Sequence, residues 1–84
     1  MTLTFDVELD VRGLVCPLPL LRTKKALFKM APGQIIKVLV TDPAAELDFK
    51  VFAELSGNAL LQSAQEGGTF IFWLRKKPDA AVAP

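Results

Sequence analysis

The hydrophobic and polar positions change their period several times along the chain, and each change marks an element. Phe5, Val7, Leu9 and Val11 alternate with Asp6, Glu8, Asp10 and Arg12. A period of two predicts a strand with one buried face. From Leu20 the spacing becomes helical, with Leu20, Leu21, Leu27, Phe28 and Ala31 as the apolar positions and Arg22, Lys25 and Lys29 opposite them. Ala31-Pro32-Gly33 supplies the breakers that end this helix. Ile35–Val40 is rich in β-branched residues and predicts a second, more deeply buried strand. Asp42 then reads as an N-cap with Pro43 at the first helical position. Leu47, Val51, Phe52 and Leu55 form the apolar stripe of the second helix, which Gly57-Asn58 closes. Asn58–Glu66 predicts a third strand with imperfect alternation. Gly67-Gly68 is a hairpin signal, and Thr69–Arg75 is the fourth and most apolar strand.

The order β-α-β-α-β-β predicts an α/β (α+β) two-layer sandwich. Right-handed crossovers place both helices on one face of a mixed four-stranded sheet, and the last two strands form an antiparallel hairpin. Residues 1–77 read as a single domain. Pro78 to Pro84 is small, proline-flanked and featureless, and reads as a flexible tail.

Composition narrows the chemistry. The chain has 84 residues, 51% of them hydrophobic, and a formal net charge of +1. That charge gives no bulk field for nucleic acid or an anionic membrane. No signal peptide or spanning run is visible, so a cytoplasmic protein is expected. There is no histidine and only one cysteine. These absences remove Cys-His and Ser-His pairs, zinc clusters and an internal disulfide cycle. No glycine-rich phosphate loop is present, and no general base is apparent.

What remains is Cys16. It stands where the first strand gives way to the first helix, between Gly13 and the pair Pro17 and Pro19. Proline is well tolerated at the first helical position, so Pro17 reads as N1 and Cys16 as N-cap. Pro19 removes a second donor, which leaves the N–H of Leu18 free near the sulfur. Because Pro19 also disfavours α geometry at Leu18, the helix can start a residue or two late. The positive end of a helix favours a thiolate. Gly13 can adopt unusual backbone angles and leaves space beside the sulfur. Lys24, further along the helix, is the candidate local cation, with snorkelling into solvent as its alternative role. Asp42 sits at the end of the second strand, on the same sheet edge as Cys16, as a cap first and a site residue second. Trp73 reads as core or sheet-face packing.

These residues resemble the TusA/SirA family of small sulfur-carrier proteins. The likeness runs from about Leu9 to Lys76 and rests on Leu9-Asp10, Gly13-Leu14 and Cys16-Pro17-Leu18-Pro19, with Pro32-Gly33, Asp42-Pro43, Asp48, Gly57 and the closing hairpin. The resemblance implies the same sandwich. It also implies that Cys16 carries sulfur as a persulfide, taken from a cysteine desulfurase or rhodanese-like donor and relayed to an acceptor protein. The pathways it suggests are transfer RNA thiolation, sulfur oxidation and cofactor biosynthesis. By position, Lys24 matches the family's basic helix residue and Asp42 the aspartate before its second proline. Leu18 stands where some transfer RNA thiolation members carry an acidic residue. A monomer is expected, with no cofactor, no metal and no direct contact with nucleic acid or membrane. The rival reading is a small RNA-binding or regulatory module, supported by the basic helix face and Lys76-Lys77 alone. A redox sensor that dimerises through Cys16 is a third.

Overall fold

A computed structural model describes residues 3–78. Residues 79–84 of the expected tail lie outside the described residues. The elements are β1 (Val7–Asp10), α1 (Leu18–Phe28), β2 (Ile35–Val40), α2 (Ala45–Ser56), β3 (Ala59–Glu66) and β4 (Thr69–Arg75). The sheet order is β1-β2-β4-β3, with β1 parallel to β2 and β4 antiparallel to both of its neighbours. The first three strands therefore run the same way, and β4 is inserted between the second and third. The fold is the mixed sandwich that the periodicity predicts.

The β-branched run of β2 explains the core. Ile36, Val38 and Val40 are fully buried on one face and meet Phe72 and Leu74 of β4, Leu27 of α1, and Ala45 and Phe49 of α2. Both helices thus pack on the same face of the sheet. Phe49 and Phe72 stack with ring centroids 4.6 Å apart, which locks α2 to the central strand.

Which helical positions are buried differs from the reading of the apolar stripes. In α1 the buried residues are Pro19, Thr23 and Leu27, a four-residue spacing that includes a threonine. The Thr23 hydroxyl donates to the Pro19 carbonyl at 2.9 Å, so its polarity is satisfied within the helix. Phe28, by contrast, is 85% exposed. In α2, Ala45 and Phe49 point inward with Phe52 and Ala53 beside them, while Leu47, Val51 and Leu55 face outward. Two apolar stripes run along α2, and the sheet covers only one of them.

Three irregularities have local causes. The alternation of β3 is imperfect because a bulge falls between Leu60 and Gln62 and resets which side chains face the core. Helix α1 ends at Phe28, short of the predicted breakers. Lys29 and Met30 donate to the carbonyls of Ala26 and Leu27 at 3.1 Å and tighten the last turn, and Lys76 Nζ donates to the Met30 carbonyl at 2.7 Å. Trp73 packs on the helix-free face of the sheet, 4% exposed, with the Lys37 ammonium 5.8 Å from its ring.

Candidate functional site

The carboxyl ends of β1 and β2 lie side by side because the two strands are parallel and pair Asp10 with Leu39. The chain leaving β1 must reach α1, and the chain leaving β2 must reach α2, so both loops share one edge of the sheet. Gly13 turns the first loop with φ +87°, and its N–H donates to Thr41 Oγ1 of the second loop at 2.9 Å. The Cys16 N–H then donates to Asp42 Oδ2 at 2.7 Å. Two side chains of the β2–α2 loop thereby hold the cysteine loop in place.

The helix starts one residue later than the sequence predicts. Pro17 is the N-cap of α1, not N1, and Cys16 stands just outside the helix; the Cys16–Pro17 peptide is cis. Pro19 falls at N2 and is buried. Nor is the N–H of Leu18 free, because it donates to the Val15 carbonyl at 2.9 Å. Asp42 is likewise displaced from its predicted place. Helix α2 begins at Ala45 with Ala44 as N-cap. Asp42 instead divides its carboxylate, with Oδ1 accepting from the Ala44 N–H at 3.2 Å and Oδ2 accepting from Cys16.

The sulfur is exposed. Its neighbour is Asp48, in the first turn of α2, and Cys16 Sγ donates to Asp48 Oδ2 at 3.4 Å. This contact reverses the expected electrostatics. The hydrogen bond to Asp48, with partial desolvation and the negative charges of Asp48 and Asp42, pushes the Cys16 thiol above its ordinary value. Lys24 does not offset them. Its ammonium lies 5.6 Å from the centre of the Phe52 ring, and the charges acting on the sulfur are the two aspartates. An acceptor is thus present where sequence reasoning saw no base. The available signal was topological: if Asp42 and Cys16 share a sheet edge, the first turn of α2 shares it too.

Beside the sulfur the surface is apolar. Val15 and Leu18 are 65% and 41% exposed. A groove of about 440 Å³ runs between α1 and α2, lined by Leu20, Lys24, Leu47, Val51, Phe52 and Leu55, and Asp48 forms part of its wall. Asp48, which contacts Sγ, is the link between this groove and the cysteine. Among the described residues no group of His, Cys, Asp or Glu side chains is arranged to hold a metal ion.

Comparison with known proteins places this geometry. Residues 7–76, from the first residue of β1 to just past β4, match the family model described as Sulfurtransferase TusA. The chain belongs to the TusA family. It is 51% identical over 72 residues to the sulfur carrier protein TusA of Allochromatium vinosum, covering 86% of this chain and 95% of that one. It is 38% identical over 79 residues to the sulfur carrier protein TusA of Pseudomonas aeruginosa, covering 94% of this chain and all of that one. Among solved structures it is similar to a SirA-like protein from Desulfitobacterium hafniense, with a TM-score of 0.76 and 26% identity over 86% of this chain and 99% of that one. The TusA-family match spans the sheet and both helices, so the Cys16 loop, Asp42 and Asp48 all lie inside it.

Proposed function

We propose that this TusA-family protein carries sulfur on Cys16 as a persulfide between a donor protein and an acceptor protein. The observation that supports this most is the placement of its lone thiol, exposed at the sheet edge where the β1–α1 and β2–α2 loops meet. A sulfur so placed suits entry into the active site of another protein. It does not suit turnover of a small substrate held by this chain.

In the reaction the Cys16 thiolate attacks the outer sulfur of a donor persulfide. A bond forms between Cys16 Sγ and that sulfur, and the donor's own S–S bond breaks with its electron pair left on the inner sulfur. The acceptor's thiolate repeats the attack on the Cys16 persulfide. No oxidant or reductant is consumed, because one sulfur atom changes owner in each step. A thiol of raised pKa is ionised less often, yet its thiolate is intrinsically the better nucleophile.

Docking falls to the apolar residues on either side of the sulfur and Asp48. Val15, Leu18 and the outward α2 stripe are exposed without any packing role, and the groove opens beside Asp48. A cysteine desulfurase or rhodanese-like donor is the occupant proposed, since the groove leads to the atom that donor must reach. A cytoplasmic location fits this chemistry, and no helix among the described residues is long and apolar enough to cross a membrane. The RNA-binding reading keeps only part of its support: Lys76 is engaged with the carbonyls of Phe28 and Met30, while Arg22, Lys25 and Lys29 of the basic helix face stay exposed.

The test is incubation with a cysteine desulfurase and free cysteine, read by intact mass. The reading predicts an adduct of one sulfur atom on the wild type and none on Cys16→Ser. An adduct that persists in Cys16→Ser would remove the assignment.

A further inference from the structure

The resting sulfur does not point freely into solvent; it is turned toward α2. We propose that Asp48 is a positioning residue that aims Cys16 and keeps it protonated while the carrier is free, so that the exposed sulfur travels as a thiol. The inference rests on the carrier reading above and adds to it the state in which the empty carrier waits.

The geometry carries the argument. Asp48 belongs to the first turn of α2, where its own N–H donates to the Ala44 carbonyl at 3.2 Å. Its backbone is fixed by the helix, and its half-buried side chain forms part of the wall beside Cys16. Cys16 is fixed independently, through its own amide, by Asp42. Two anchored elements therefore meet at the 3.4 Å contact between Sγ and Oδ2. The proton in that contact belongs to sulfur. A carboxylic acid is a far stronger acid than a thiol, so in this contact the sulfur donates and the carboxylate accepts.

The surrounding charges reinforce this. From the β2–α2 loop Asp42 adds a second negative charge, and Glu46 is the other acidic residue in the first turn of α2. From α1 the candidate cation, Lys24, lies over Phe52. A thiolate at this position would face a carboxylate with no proton between them.

The consequence is protective. A reachable thiolate is the nucleophile that attacks peroxide and foreign disulfides and is oxidised by them, whereas the thiol reacts slowly. A carrier that must expose its sulfur in order to enter other proteins gains selectivity if that sulfur ionises only when its contact with Asp48 is disturbed.

The experiment is a pH profile of Cys16 alkylation by iodoacetamide on the free, full-length protein. Wild type, Asp48→Asn and Asp48→Glu are compared after circular dichroism has shown equal folding. Asp48→Asn is expected to react several-fold faster at neutral pH, with its midpoint moved to lower pH, and Asp48→Glu to move back toward wild type. An Asp48→Asn profile that overlays wild type would overturn the proposal. A second measurement needs no variant. The Asp48 carboxyl carbon, followed by NMR in the wild type, is expected to show an inflection at the pH where Cys16 ionises. A flat signal through that range would overturn the proposal equally. Failure of the wild type to take up sulfur from a desulfurase would sink the carrier reading, while these titrations would still decide the role of Asp48.

Discussion

The backbone amide of Cys16 donates to Oδ2 of Asp42 at 2.7 Å, across 26 positions of sequence. The contact joins the loop after β1 to the loop after β2 and sets where the sulfur stands. The other oxygen of the same carboxylate holds Ala44 at the start of α2. One side chain thus braces both loops. Asp42→Ala is expected to cost about 1–2 kcal/mol, the range of a lost capping interaction. Urea denaturation measures this directly. Asp42→Asn is expected to fall between the two, since its amide keeps one acceptor oxygen and leaves one N–H without a partner.

Gly13 carries a second constraint on the same loop. Its φ of +87° lies in the left-handed region, although nothing crowds the place a Cβ would take. Gly13→Ala is therefore expected to cost about 1 kcal/mol through backbone strain alone. The loss should show as a lowered urea midpoint with an unchanged slope.

Much of the architecture was legible in the sequence, because β2 and β4 announce themselves by composition and the glycines at 57 and 67 stand at the element ends. The helices were harder for a physical reason. Both α1 and α2 carry more apolar side chains than the sheet can cover, so periodicity alone does not say which stripe faces inward. Leu47, Val51 and Leu55 read as core and lie outside, while Thr23, which no apolar stripe includes, lies inside with its hydroxyl on Pro19. At the site, Cys16 was marked by its neighbours in sequence. Asp48 entered only through the family resemblance, with no role assigned, because its contact with the sulfur depends on two loops meeting at one sheet edge. The sign of the sulfur's electrostatics followed from that omission, since a helix end argues for a thiolate and a carboxylate argues against it.

The two faces of α2 give opposite predictions. Phe49 is fully buried and stacked on Phe72. Phe49→Ala is expected to destabilise the fold by about 3–5 kcal/mol, enough to leave a small domain largely unfolded. Leu55 is 83% exposed. Leu55→Asp is expected to change stability by no more than about 0.5 kcal/mol, yet to slow sulfur uptake from a donor by removing apolar docking surface. Thermal unfolding and donor-dependent loading kinetics, measured on the same two variants, separate the roles.

Asp10 offers a titration at the edge of the site. Its bidentate contact with Arg12, at 2.9 and 2.7 Å, holds the carboxyl at about 2. A carboxyl depressed in the folded state stabilises the fold above its unfolded value and loses that contribution as pH falls toward 2. The pair is exposed, so salt screens part of the effect. Arg12→Gln is expected to raise Asp10 toward the ordinary carboxylate range, only part of the way because the backbone N–H of residue 12 still donates to Oδ1, and NMR titration of its carboxyl carbon reads this without reference to stability.

The central claim is that Cys16 both takes and gives sulfur, and a loading-and-discharge cycle tests it most directly. The protein is charged by a desulfurase, freed of it, digested without reductant, and the added sulfur is located by peptide mass before and after exposure to an acceptor thiol. The account predicts one extra sulfur on the peptide containing Cys16, and its loss to the acceptor with the cysteine returned intact. Sulfur found elsewhere in the chain, or a Cys16 adduct that no acceptor removes, would contradict it.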